Sequence, residues 1–259
     1  MFRFEKHVMT FRILNIRILI AFLLSSSVHS ETITVVSDYW CPYNCEPNSE
    51  LEGFGIDLLR LAFKKRGIEV EYTLKSWDQA VADVESNRYH GLMSAYKSES
   101  NLLIYPEMHF SHTTSCFYKK DNDWVFDDFS SLNDIRLGVI KGYSYGALLD
   151  SYLAEHRQDV HWVSGKNPLQ RLLNKMRNDE IDVIIEDTNV LEYQLSLQES
   201  PEPLITDYCL PVTNLYMAFA PGHPDTKRYI GIYQNQLNEL LKDGTYQKVM
   251  SKYQSLKAN

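Results

Sequence analysis

The chain has 259 residues, with 26 Lys and Arg against 34 Asp and Glu and a formal net charge of −8. Apolar residues make up 44% and aromatics 12%, which supplies a packed core and excludes intrinsic disorder. The acidic balance argues against nucleic acid or an anionic membrane surface as a partner.

In chain order, residues 1–30 read as a leader rather than as part of a fold. Arg3, Lys6, Arg12 and Arg17 precede the apolar run Ile18–Leu24, and Val28-His29-Ser30 offers a small residue before Glu31. This is the basic, apolar, small-residue order of a secretory signal peptide. The apolar run is shorter than the roughly 20 residues of a stable spanning helix, which is the requirement of the competing reading, an N-terminal anchor. The residue directly after the expected cleavage site is Glu31 and not a cysteine, which argues against a lipid-anchored form. Without residues 1–30, 229 residues remain with 22 basic and 33 acidic side chains, a net charge of −11. One large domain or two small ones, exported and soluble, is the expectation.

All four cysteines, Cys41, Cys45, Cys116 and Cys209, lie beyond the leader. An even count in an exported chain favours disulfides, with three connectivities open. Cys41-Pro42-Tyr43-Asn44-Cys45 reads as a local pair, which by elimination would leave Cys116 for Cys209. Zinc is the competing reading, but its C-x2-C and H-x3–5-H spacings are absent. No metal and no cofactor is expected.

Strands and helices then alternate, the pattern of an α/β fold. Thr32–Val36 is a β-branched run, followed by a loop at 41–50. Ile56–Lys65 places Ile56, Leu59, Leu61, Ala62 and Phe63 about one helical face and stops before Gly67. Glu69–Leu74 reads as a strand, Trp77–Asn87 as a helix capped by Ser76, and Tyr89–Ala95 as a short strand. Phe117–Trp124 is polar and charged, so an exposed connection is expected. A second α/β run follows: strand Leu137–Ile140, helix Ala147–Glu155, strand His161–Val163, helix Pro168–Asn178, strand Ile181–Ile185 and helix Val190–Gln198. Leu215–Ala220 is another strand, and Thr226–Lys257 supplies two helices broken near Asp243-Gly244. Two α/β units of similar size suggest two lobes, and with no long linker the crossings between them should be short paired strands acting as a hinge.

The order of motifs resembles the periplasmic binding proteins of the polar amino-acid uptake type, the type 2 or family 3 bacterial extracellular solute-binding proteins. The likeness runs from about Thr32 to about Tyr253. It is carried by Ser37-Asp38-Tyr39-Trp40-Cys41-Pro42-Tyr43, Gly53-Phe54-Gly55-Ile56-Asp57-Leu58, Trp77-Asp78, Tyr89-His90-Gly91 and Phe110-Ser111. Ser131-Leu132-Asn133-Asp134, Leu137–Ser144, Ile181–Asp187 and Leu241-Lys242-Asp243-Gly244-Thr245-Tyr246 continue it. The resemblance implies a type 2 fold with two hinge crossings, lobe 1 being 31–115 plus 215–259 and lobe 2 being 116–214. It would place Cys116 and Cys209 beside those crossings. It also implies a periplasmic protein, most simply a monomer, that closes on a small polar ligand for an ABC-type permease or for sensing.

The candidate ligand residues follow from local chemistry and this likeness. Trp40 falls where the family sets an aromatic ring against the ligand, with Asp38 and Tyr43 beside it; a packing role in the core is the alternative. Ser144, in Gly142-Tyr143-Ser144 between a strand and a helix, could bind a carboxylate with nearby N–H groups, or simply cap the helix. Asp187 at a strand end could take the ligand ammonium or cap the next helix, Glu186 being the neighbour if the register is off by one. The family's first-lobe Arg, which grips a ligand carboxylate, would fall within Leu102–Ile104, yet there is no Arg between Arg88 and Arg136. Either Lys97 substitutes, as a point charge rather than a planar fork, or the ligand is not a standard α-amino acid. Two enzymatic readings compete. Gly142 to Gly146 spells G-x-S-x-G, with Asp187 and His223 following in hydrolase order, but no His-Gly-Gly segment precedes it. A dehydratase-like site could instead use Asp187, Glu186 and His112.

Overall fold

The computed structural model describes residues 30–254 except 122 and 202, so the expected signal peptide lies outside the described residues but for Ser30. The first strand, β1 (Glu31–Ser37), follows its β-branched run, and Ile33, Val35 and Val36 are fully buried. Helix α1 (Phe54–Lys64) turns Phe54, Ile56, Leu58, Leu59, Ala62 and Phe63 inward. Strand β2 (Ile68–Leu74) begins with alternating buried and exposed residues, as a half-covered strand should. Helix α2 (Trp77–Glu85) has Ser76 at its N-cap position in extended conformation, although the Ser76 side chain makes no capping bond. Strand β3 (Gly91–Ala95) is buried throughout.

Short β4 (Ser111–Thr113) leads to β5 (Ser115–Lys119), and after a 3-10 turn at Phe129–Asp134 comes β6 (Leu137–Ile140). The rest alternates as α3 (Ala147–Glu155), β7 (His161–Val163), α4 (Pro168–Arg177), β8 (Val183–Asp187) and α5 (Thr188–Ser196). Strands β9 (Ile205–Cys209) and β10 (Thr213–Phe219) precede helices α6 (Thr226–Lys242) and α7 (Thr245–Gln254).

These strands form two five-stranded sheets, in the orders β2-β1-β3-β10-β4 and β7-β6-β8-β5-β9. In the first, β1 runs parallel to β3, while β10 lies antiparallel to both β3 and β4. In the second, β6 is parallel to β7 and β8, and β5 is antiparallel to β8 and β9. The chain leaves the first sheet between β4 and β5 and returns between β9 and β10. Both crossings are paired on either side: Thr113 faces Thr213 in the first sheet and Cys116 faces Cys209 in the second. The two cysteines are joined by a disulfide, as Cys41 and Cys45 are, which resolves the connectivity left open by the sequence.

One expectation is overturned. Phe117–Trp124 is not an exposed connection, because β5 covers its first residues and sits between β8 and β9 with Phe117, Tyr118 and Lys119 buried. The charge that suggested exposure is compensated from far along the chain. Lys119 donates to Asp207 Oδ1 at 2.6 Å, and both side chains are covered. Its ammonium also reaches the Trp124 carbonyl. A smaller difference matters for the site: the strand expected at Ile181–Ile185 is β8, two residues later, so Glu186 and Asp187 belong to it.

A buried pair is costly to break on one side only. Lys119→Met should lower the unfolding free energy by about 3 kcal/mol, because Asp207 is then left buried without its cation, whereas adding Asp207→Leu should restore much of the loss. Urea denaturation checks this, and a single-variant loss within error of zero would show that the pair does not hold β5 to β9.

Candidate functional site

The strand ends of the two sheets face one another across a cleft. Asp38 follows β1, and the next residues fold back so that Trp40 and Asn44 pair across a turn closed by the Cys41–Cys45 disulfide and a cis Cys41-Pro42 bond. Asn44 donates to Ser37 Oγ at 2.7 Å and accepts from Ser94 Oγ at 2.7 Å, which ties the turn to β1 and β3. Ser94 does this from a left-handed backbone conformation at φ 61°, costly for a non-glycine residue and often found at binding sites. The Trp40 ring stacks on Tyr43 at 4.5 Å, and Tyr43 leans on Phe54 at 4.8 Å. The indole is thereby held rigidly with its N–H facing the second sheet.

A small cavity of about 30 Å³ is lined by Asp38, Trp40, Trp77, Glu99, Tyr143 and Glu186, among others. That is room for about two waters. It adjoins a cavity of about 510 Å³, with which it shares Tyr96, Ser115, Ser144 and Tyr145. On the other flank lies an opening of about 710 Å³ that shares Asp38, Trp77 and Tyr143.

Hydrogen bonds join the turn after β1 to the turn after β6 and to the β8–α5 segment. Trp40 Nε1 donates to Glu186 Oε1 at 2.9 Å, and the Tyr143 hydroxyl donates to Asp38 Oδ2. Asn189 Nδ2 donates to the Tyr43 hydroxyl at 2.8 Å. Gly142, at φ 90°, lets the turn before α3 approach α2 so closely that a Cβ there would collide with the Asp78 carboxylate. This is a closed arrangement.

Its electrostatics are one-sided. Trp77 Nε1 donates to Glu99 Oε2 at 3.1 Å, so each of three carboxylates has one aromatic N–H or O–H donor. Burial pushes Asp38 up to about 6 and both Glu99 and Glu186 up to about 8, the hydrogen bonds offsetting only part of the desolvation. Glu186 Oε2 has no hydrogen-bond partner.

The sequence-derived candidates are placed as follows. Asp38, Trp40 and Ser144 line the small cavity together. Tyr43 is fully buried beneath Trp40. Asp187 is fully buried and caps α5, accepting from Asn189 N at 2.9 Å and Val190 N at 3.1 Å. Its other oxygen accepts from Thr114 N at 3.1 Å and from the Thr113 hydroxyl, so the carboxylate is fully engaged at the crossing. The side chain of its neighbour Glu186 lines the cavity instead. Ser144 and the Tyr145 N–H, expected to meet a ligand carboxylate, are bonded at 2.7 Å each to the chain's own Asp150. Lys97 is exposed and lies over the Tyr216 ring at 4.7 Å, outside the cavity linings. At the place expected for the arginine, Leu103 is buried and Ile104 pairs with Phe219. The hydrolase trio is not assembled: Ser144 donates to Asp150, Asp187 caps a helix, and His223 packs on His90 at 4.0 Å. Glu99 and Trp77 line the cavity and were missed; a Trp opening a helix and a half-buried acid 22 residues on carry no local signal of a cleft.

The sequence profile of the bacterial extracellular solute-binding proteins, family 3, matches residues 33–255. The chain belongs to this family. Curated relatives of this family 3 solute-binding protein include the ABC transporter arginine-binding protein 1 of Escherichia coli strain K12, 24% identical over 212 residues, covering 80% of this chain and 83% of the relative. Another is the probable histidine-binding protein of Campylobacter jejuni subsp. jejuni serotype O:2, 24% identical over 216 residues, covering 82% and 80%. Among solved structures, an ancestral arginine-binding protein bound to arginine superposes with a TM-score of 0.72 at 18% identity, covering 86% of this chain and 97% of that one. A histidine kinase sensor domain with similarity to periplasmic binding proteins gives 0.71 at 17%, covering 86% and 95%. The two-lobed type 2 fold expected from the sequence is therefore the fold of this solute-binding protein.

The raised carboxyls have a consequence for stability. Each holds its proton more tightly folded than unfolded, so the stability it contributes is complete below the ordinary carboxyl range and is lost as pH rises, through about 6 for Asp38 and about 8 for Glu99 and Glu186. The ligand-free protein should lose melting temperature between pH 5.5 and pH 8.5 through these groups, and Glu186→Gln should make that slope shallower. Calorimetry across this range checks it; an unchanged slope in the variant would remove Glu186 as a source.

Proposed function

We propose that this solute-binding protein works in the periplasm as a monomer, capturing a small polar solute between its lobes and presenting it to an ABC-type permease. Lobe 1 would comprise residues 31–115 plus 215–259 and lobe 2 residues 116–214, in keeping with the membership of the two sheets. A signal peptide at residues 1–30 would direct export. The observation that carries this reading is the bond from Trp40 Nε1 to Glu186 Oε1, which joins the turn after β1 to β8 at the wall of a cavity. A solute that touches Trp40, Asp38, Ser144 and Glu186 at once favours the closed state, and that differential affinity is what drives closure. Tyr43 and Asp187 act as positioning residues, the first under Trp40 and the second between α5 and the Thr113-Thr114 crossing. The exposed Lys97 would meet only a solute that extends to the rim. Closure would serve a sensory input equally well, so solute uptake by cells with and without the protein distinguishes the two roles.

A thermal-shift screen of amino acids, amines, organic acids and sugars, followed by titration calorimetry, tests the capture step. A true solute should raise the melting temperature and reduce the radius of gyration in small-angle scattering. Trp40→Ala should weaken its binding at least about tenfold, or about 1.4 kcal/mol. Equal affinity in Trp40→Ala would move the site out of the cleft.

A further inference from the structure

The small cavity has walls of one chemical kind. Among the described residues that line it there is no Lys, Arg or His, while Asp38, Glu99 and Glu186 all reach it. The adjoining larger cavity repeats the pattern, its charged lining being Asp127 and Asp128. Acidic residues in a cleft are commonly surface groups, but Glu186 is only 2% exposed, and its Oε2 is buried without a partner. A carboxylate oxygen left so is costly, and a cation in the cavity would remove the cost. The rings of Trp40, Trp77 and Tyr143 complete the enclosure.

Three features disfavour a ligand carboxylate in the same place. The Ser144 hydroxyl and Tyr145 N–H before α3 are satisfied by Asp150. Leu102–Ile104 supplies no guanidinium. A carboxylate would also lie among groups of its own sign. The far opening does carry Lys75, Lys141 and Lys166, but Lys75 is paired with Asp83 and the other two are exposed at the rim.

Resting on the reading of the chain as a solute-binding protein, we infer that its ligand is a slender organic cation, an aliphatic ammonium or guanidinium compound with no α-carboxylate. The cationic head sits in the small cavity among Asp38, Glu99 and Glu186, between the Trp40, Trp77 and Tyr143 rings, and the chain extends toward the larger cavity. The charge of that head allows the three carboxyls to ionise together, which burial alone opposes.

Two matched pairs of probes isolate the carboxylate: agmatine against arginine, and cadaverine against lysine. Titration calorimetry on the intact exported protein at neutral pH should show the decarboxylated member of at least one pair binding at least about tenfold tighter, equivalent to about 1.4 kcal/mol. Glu186→Gln and, separately, Glu99→Gln should each weaken that cation at least about tenfold. Arginine and lysine matching or exceeding their counterparts would overturn the inference, as would absence of binding by all four probes. If Glu186→Gln fails to fold, the wild-type comparison still decides. Trp40-dependent binding of a neutral or acidic solute would overturn the cation class alone and leave the solute-binding role standing. No solute of any class producing a Trp40-dependent response would overturn both.

Discussion

Three carboxyls, Asp38, Glu99 and Glu186, line one cavity where the two sheets meet, and among the described residues no basic side chain lines it. In a region of low dielectric such groups either keep their protons or acquire a cation from outside. Much of the surrounding structure answers that constraint. Trp40, Trp77 and Tyr143 each direct a neutral donor at one carboxylate, and each comes from a different stretch of chain. The closed geometry is thus held by hydrogen bonds that partly offset the burial and by apolar ring surface that excludes water. It stops short of satisfying Glu186 Oε2.

The same residues connect chemistry to motion. Trp40 is braced from below by Tyr43 and Phe54, so its indole moves with the lobe that carries it. Glu186 ends β8 beside Asp187, whose carboxylate binds both the start of α5 and the crossing at Thr113-Thr114. Glu186 is therefore one residue from a group fixed to the crossing. The two crossings are short, paired and clamped on one side by the Cys116–Cys209 disulfide, while Leu210 N donates to the Ser115 carbonyl at 2.8 Å. Such a ribbon permits rotation about itself but resists shear, as rigid-body opening of two lobes requires.

Family membership and cleft chemistry carry different information. The fold is shared with arginine-binding and sensory domains at identities below 20%, so it says little about which solute is held. Specificity resides in the lining; at the position expected for an arginine Leu103 is buried and Ile104 pairs with Phe219, and in the lining Ser144 and the Tyr145 N–H are bonded to the chain's own Asp150.

The sequence by itself determined the alternating α/β order, the helix faces and the cysteine content, because these depend on local periodicity and short-range chemistry. The boundaries of α3 and β7 fall where the pattern of apolar residues put them. Trp40 and Asp38 were also legible, since they belong to a turn whose neighbours are in sequence. Long-range compensation was not legible. Lys119 appeared to mark a surface connection until Asp207, 88 residues on, neutralised it inside the second sheet. A strand displaced by two residues decided that Glu186 rather than Asp187 lines the cavity. Asp150 occupied the Ser144 hydroxyl, and Glu99 reached the cavity through its bond from Trp77, which the sequence marked only as the start of a helix. Only the tertiary structure brings like charges together from distant segments, and that juxtaposition sets the electrostatic character of the cleft.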